Sequence, residues 1–251
     1  MMRLFETALF LPEEERAASS FGSILHGALM ERLPKDLAAR LHEQDVRPYS
    51  QSVSWDKERG VARWRIGVVD EEAGAAMEEV LQRGGDMFLR QKGYAVRLGE
   101  IRLLQQSSFS EIADTFFLPQ TAPKGAELVF CTPTSFKREG RYVMLPEFFL
   151  ICQSLLLRWN RFSKEIRLEE AELAEKLAAG CRLSQYALHS APFSVEAHTI
   201  RGFRGDMHVR FFGTDAVRRI LGMIFSFAPF VGVGIKTALG MGAVEARIRK
   251  D

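Results

Sequence analysis

Strand-type and helix-type hydrophobic patterns alternate along this chain, and their order, repeated in two halves, limits the possible folds most strongly. In the first half the order is strand, helix, strand, strand, helix, strand. We predict strands at residues 2–11, 50–55, 61–69 and 96–105, and helices beginning at Ser20, at 35–43 and at 71–81. A loop rich in Ser, Pro, Thr and Gly at about residues 107–125 then separates the halves.

The second half repeats this order with variations of its own. Its clearest element is a helix at residues 146–163, where apolar side chains fall on a single stripe. The stripe consists of Phe148, Cys152, Leu155, Trp159 and Phe162, which predicts that Trp159 is a core residue. We also predict strands at 126–132, 181–189, 193–203, 206–212 and 241–249, and helices at 169–179 and from Thr214 to Pro229. Each half is therefore an α+β unit, a small sheet with helices on one face, and we place the domains at residues 1–120 and 125–251.

Composition narrows the possible environment and partners. The 251 residues suffice for two domains, and no apolar run reaches the roughly 18 residues of a membrane span. The three cysteines form no CxxC pair, so neither a disulfide framework nor a zinc site is expected, and we expect a cytoplasmic protein. Residues 123–251 carry 19 Lys and Arg against 13 Asp and Glu, which is a modest indication of a polyanionic partner.

A glycine-rich segment at residues 232–242 is the strongest local signal. Its glycines permit positive φ and close approach to a ligand, its backbone N–H groups could bind phosphate, and Lys236 and Thr237 add polar donors. The segment could equally be a tight turn that enters a strand. It does not match a phosphate-binding P-loop, and the helix-before-strand order is opposite to that of a dinucleotide fingerprint. The candidate phosphate contacts are Gly232, Gly234, Lys236, Thr237, Gly240 and Gly242.

Three groups of residues, in order along nearly the whole chain, resemble the CRISPR-associated repeat-cleaving endoribonucleases of the RAMP superfamily. The first group is Leu25-His26-Gly27-Ala28-Leu29, Leu41-His42-Glu43-Gln44 and Arg47-Pro48-Tyr49-Ser50; the second is the segment 130–136 with 154–162; the third is Gly202-Phe203-Arg204-Gly205 with the glycine-rich segment. The resemblance implies two tandem ferredoxin-like domains and cleavage of precursor CRISPR RNA within its repeats, without a metal or other cofactor. It also implies product handover to, or retention within, an interference complex.

Metal-free RNA cleavage uses the ribose 2′-OH as the nucleophile, and a base must remove its proton. Histidine suits proton transfer because its ordinary pKa is about 6.5. The resemblance makes His42 the first candidate, with His26 as a second catalytic or RNA-contacting histidine. Arg47 corresponds to a position where some relatives carry a catalytic lysine, and it could stabilise the phosphate. The sequence leaves structural roles open for His42 and His26 and a solvated role open for Arg47.

Arg158 and Arg204 are further candidates for RNA contact, through phosphates. A non-catalytic RNA-binding subunit of a CRISPR effector complex remains an alternative to the nuclease, since it would share the fold and the glycine-rich segment. A small-molecule nucleotide enzyme fits poorly, because the expected motifs are missing. The sequence does not decide between a monomer and a homodimer, and no membrane association is expected.

Overall fold

A computed structural model describes residues 1–195 and 198–250, and it contains two main antiparallel sheets with helices packed against them, together with a small two-stranded sheet. The elements of the first half are β1 (Met2–Phe10), α1 (Phe21–Arg32), α2 (Lys35–Glu43), β2 (Tyr49–Asp56), β3 (Val61–Val68), α3 (Glu71–Gln82), β4 (Asp86–Leu89), β5 (Tyr94–Leu98) and β6 (Arg102–Ser107). Those that follow are α4 (Phe109–Phe117), β7 (Gly125–Thr134), β8 (Phe136–Arg138), β9 (Arg141–Val143), α5 (Phe148–Phe162), α6 (Leu173–Ala179), β10 (Cys181–Val195), β11 (His198–Phe211), α7 (Asp215–Val231) and β12 (Val244–Arg249).

Both sheets have the strand order of a ferredoxin-like unit, in which the first strand lies between the third and the last. In the first sheet the order is β2-β3-β1-β5-β4, and β6 also pairs with β1. The second sheet has the order β10-β11-β7-β12. All pairs are antiparallel, so the predicted fold class of two tandem ferredoxin-like units is confirmed.

Each sheet buries one face under helices, and the periodic apolar side chains form the two main cores. In the first core, Phe5 and Trp64 of the sheet lie with Leu25 of α1, all at most 1% exposed. In the second core, Trp159 of α5 is 0% exposed and stacks edge-on against Phe227 of α7, with ring centroids 5.2 Å apart. The prediction that Trp159 is a core residue is therefore confirmed.

The segment predicted as a loop at residues 107–125 contains a helix, α4. Ser108 caps α4 through its side chain, and Glu111 bonds back to the Ser108 backbone N–H, which is a full capping box. Ile112 and Phe116 of α4 belong to the second core, and Arg219 of α7 donates to carbonyl groups just after α4. The division into domains at residues 1–120 and 125–251 stays a prediction, with α4 packed against the helix layer of the second sheet.

Strand boundaries also differ from those predicted. The segment predicted as one strand at 96–105 is two strands, β5 and β6, which pair with different parts of β1. The three strands predicted between residues 181 and 212 form one long hairpin, β10–β11; residues 196 and 197, within the predicted strand 193–203, lie outside the described residues. The break predicted between residues 203 and 206 is a β-bulge inside β11, where Gly205 has a φ of +126°. Pro192 is tolerated because β10 pairs on one side only.

Two helix ends differ from the sequence reading as well. Ser20 precedes α1, but its side chain makes no capping hydrogen bond. The helix predicted to end at Pro229 continues to Val231, and Gly232 at φ +69° ends it. None of the helices within the described ranges combines the length and apolar character needed to cross a bilayer.

The C-terminal end of α7 and the segment after it pack directly against the first sheet. The Ser50 hydroxyl donates to the Phe230 carbonyl at 3.0 Å, and the Gln51 amide donates to the Ala238 carbonyl at 2.6 Å. Gly67 allows this contact, because a Cβ there would lie 2.3 Å from the Phe230 carbonyl oxygen. The two sheets are thus joined by buried hydrogen bonds from side chains of the first sheet to backbone carbonyls of the second half.

Candidate active site

The three residues predicted to be catalytic lie together beside the first sheet, on its helix-covered side. His26 is half-buried on α1, His42 is exposed on the last turn of α2, and Arg47 lies in the short connection to β2. Arg47 contacts the last turn of α2 through the Leu41 carbonyl, and the charges of Arg47 and His42 both contribute to the lowered pKa of His26. The chain brings them together because α1 and α2 are joined by only two residues, and α2 and β2 by five.

Arg47 is held in place by the helix that carries His42. Its Nε donates to the Leu41 carbonyl at 3.1 Å, which satisfies one of the carbonyl groups left open at the end of α2. This contact fixes the connection between α2 and β2 and leaves the rest of the guanidinium for other partners. Arg47 therefore provides a permanent positive charge beside the two histidines.

His26 is electrically neutral near physiological pH. Burial, followed by the charges of Arg47 and His42, lowers the pKa of His26 from 6.5 to about 4. Its Nδ1 lies 2.6 Å from the hydroxyl of Tyr49, the first residue of β2, and the two rings stack with centroids 6.2 Å apart. Tyr49 lies in one of the motifs that carry the family resemblance, but the sequence assigns it no role, because its contact with His26 depends on the packing of α1 on the sheet.

The glycine-rich segment is mostly buried, which changes how its residues can act. The four glycines are buried, and a Cβ at Gly242 would lie 1.9 Å from the Val233 carbonyl oxygen. The N–H of Gly234 donates to Ser154 at 2.9 Å, and that of Gly242 to Pro133 at 3.0 Å. The N–H groups of Gly232 and Gly240 also donate inside the protein. These groups are therefore not free for a phosphate, contrary to the reasoning from sequence.

Two polar side chains of this segment differ sharply in exposure. Lys236 is exposed and adopts a left-handed conformation at φ +52°. Thr237 is 5% exposed, and its hydroxyl lies 3.3 Å from the guanidinium of Arg158. Lys236 is therefore accessible to a phosphate, whereas the Thr237 hydroxyl has a partner inside the protein, Arg158.

Arg158 supports the segment from inside the protein. It is 9% exposed, and its guanidinium donates to the Gly234 carbonyl at 2.8 Å and the Ser154 hydroxyl at 2.9 Å. Burial lowers the pKa of Arg158 to about 10, which still leaves it charged at neutral pH. The sequence placed Arg158 among the RNA contacts, but burial leaves little of its side chain for a ligand. Arg158 lies off the apolar stripe of α5 because it contacts polar groups inside the protein, and not because it faces solvent.

Arg204 lies in a different place, a groove of about 770 Å³ between the two sheets. Arg204 is exposed on β11, and Arg65 opposite it forms ion pairs with Glu6 and Glu245. The groove lining includes Ser52, Ser54, Arg63, Arg65, His189, Arg204, Asp206 and Glu245. His26, His42 and Arg47 are not among the lining residues, so the predicted catalytic residues and Arg204 lie in separate regions.

Comparison with known proteins places the chain among nucleases of one family. The family model described as CRISPR-associated endoribonuclease Cas6 matches residues 128–244. The CRISPR-associated endoribonuclease Cas6 of Mycobacterium tuberculosis is 31% identical over 239 residues, which cover 94% of this chain and 74% of the relative. Cas6 of Streptococcus thermophilus is 29% identical and covers 90% of this chain and 91% of its own. A solved Cas6 product complex, 23% identical, superposes with a TM-score of 0.80 over 98% of this chain and 100% of the other, which shows the shared fold.

Proposed function

Because the chain belongs to the Cas6 family of CRISPR-associated endoribonucleases, we propose that it cleaves precursor CRISPR RNA within its repeats by a metal-independent mechanism. The RNA would supply its own nucleophile. The 2′-oxygen attacks the neighbouring phosphorus, the bond to the 5′-oxygen breaks, and the products carry a 2′,3′-cyclic phosphate and a 5′-hydroxyl. The observation that supports this mechanism is the cluster of His26, His42 and Arg47.

In this proposal the three clustered side chains have different tasks. His42 is exposed and takes the proton of the attacking 2′-OH. Arg47 stabilises the added negative charge on the phosphate in the transition state. His26 is neutral and contributes an N–H donor to the same phosphate. A proton must also reach the departing 5′-oxygen, which an imidazolium at His42 can deliver after the first transfer.

RNA is held outside this cluster as well, by residues of the second half. We propose that Lys236 and Arg204, both exposed, contact phosphates of the repeat RNA. The other candidates of this region instead fix the shape of the segment that presents Lys236; they are Gly232, Gly234, Gly240, Gly242, Thr237 and Arg158.

The three cysteines are free thiols, which fits a reducing cytoplasm.

Single-turnover cleavage of repeat RNA in excess EDTA tests the role of His42. The native protein should cut, and His42→Ala should cut at least about 100-fold more slowly while binding the RNA equally well, because it lacks the base. His208→Ala is the matched control, since His208 lies on β11 of the second sheet, and it should cut at the native rate. Undiminished cleavage by His42→Ala would contradict the assignment of the base, and loss of native cleavage in EDTA would contradict metal independence.

A further inference from the structure

Tyr49 carries a buried hydroxyl whose hydrogen-bond partner in the described part of the chain is His26. The tyrosine is 0% exposed, and its hydroxyl oxygen lies 2.6 Å from His26 Nδ1. Leaving a buried donor unsatisfied is costly, so the orientation of this single hydrogen bond has consequences for both side chains.

The proton of this bond belongs to the tyrosine. A phenol has one proton to donate, and the nearest acceptor is the imidazole nitrogen. If His26 donated instead, the buried Tyr49 O–H would have no acceptor among the residues that the structure describes. Burial raises the pKa of the Tyr49 phenol, so the hydroxyl keeps its proton, while the pKa of His26, lowered to about 4, keeps the ring neutral with one nitrogen able to accept.

We propose that Tyr49 is a positioning residue that fixes His26 as the neutral tautomer with its proton on Nε2. Since Nδ1 accepts from Tyr49, the single ring proton must lie on Nε2. The free edge of the ring then presents an N–H donor and no lone pair. This inference rests on the proposed function for its catalytic meaning, although the tautomer itself is a property of the folded protein.

The fixed tautomer separates the roles of the two histidines. His26 in this form does not accept a proton at Nε2, so it cannot serve as the base through its free edge. It can donate a hydrogen bond to a phosphate oxygen without carrying a full charge. The groups that act on the ring are Tyr49, Arg47 and His42, and the permanent positive charge of Arg47 disfavours a second proton on it.

Long-range ¹H–¹⁵N spectra of the imidazole groups test the tautomer directly in the RNA-free protein. Native His26 should show an unprotonated Nδ1 and a protonated Nε2 at pH 7. Tyr49→Phe keeps the ring but removes the donor, so His26 should become a mixture of tautomers. A native spectrum with the proton on Nδ1, or an unchanged tautomer in Tyr49→Phe, would overturn the proposal.

Cleavage kinetics test whether the tautomer matters for the reaction. Tyr49→Phe should lower the single-turnover rate about tenfold with little change in RNA affinity, as expected for one lost hydrogen bond. The control Tyr142→Phe, at an exposed position of β9, should cut at the native rate. In a His26→Ala background the Tyr49→Phe change should have no further effect; an independent tenfold loss there would overturn action through His26. Failure of the native protein to cut would count against the proposed function, and the spectra would still decide the tautomer.

Discussion

At the scale of single residues, the sequence identified the members of the cluster but not their protonation. His26, His42 and Arg47 could be named from the family resemblance that their motifs carry, and those motifs lie on neighbouring elements. The neutral state of His26 depends on the partial burial of its ring on α1 and on the charges of Arg47 and His42. These influences are set by packing, and so is the contact with Tyr49 from the adjoining strand.

The lowered pKa of His26 predicts a pH-dependent contribution to stability. The unfolded chain binds a proton at His26 below about pH 6.5, whereas the folded protein resists it until about pH 4. The free energy of unfolding should therefore fall as the pH drops from about 6.5 to 4, by at most roughly 3 kcal/mol from this group. Urea unfolding of native protein and His26→Gln across this range measures the effect. The difference between the two curves should vary with pH in this window; parallel curves would contradict the lowered pKa.

At the scale of elements, the errors of the sequence reading have a common physical cause. Gly205 and Pro192 indicate turns in isolation, but a bulge and an edge strand accommodate them within one long hairpin. The helix α4 has a capping box at Ser108 that the surrounding Ser, Pro and Gly residues obscured. The glycine-rich segment was recognised, but its burial was not, because its packing partners Ser135 and Ser19 are distant in sequence.

The tight packing of the glycine-rich segment predicts that one added methyl group, at Gly242, greatly lowers the free energy of unfolding. Gly242 has φ +69°, and its added Cβ would lie 1.9 Å from the Val233 carbonyl oxygen. Gly242→Ala should cost more than about 3 kcal/mol, which lowers the Tm by roughly 10 °C. Gly27→Ala is the matched control, because Gly27 lies in α1 with no atom within 4 Å of the added Cβ, and it should raise the Tm slightly. Equal Tm values for the two variants, measured by differential scanning calorimetry, would contradict this account.

At the scale of the whole molecule, the two ferredoxin-like units form a joined pair. Met2 and Val69 from the first half lie in the same apolar core as the helices of the second half. Arg65 on β3 forms an ion pair with Glu245 on β12, which connects the sheets across the groove that contains Arg204. The alternation of strands and helices was enough to predict each unit, but the contacts between units depend on α7 and on the close approach at Gly67. The cluster around His42 and the groove around Arg204 are thereby held in fixed relative positions.

The central claim is that the RNA provides the attacking oxygen, and a single atomic change in the substrate tests it most directly. Repeat RNA with a 2′-deoxyribose at the nucleotide that precedes the cut should bind the native protein with ordinary affinity in EDTA. It should not be cleaved at that position, while the all-ribose RNA yields a 2′,3′-cyclic phosphate that mass spectrometry detects. Cleavage of the deoxy-substituted RNA at the same position and rate would contradict the mechanism, because the proposed nucleophile would be missing.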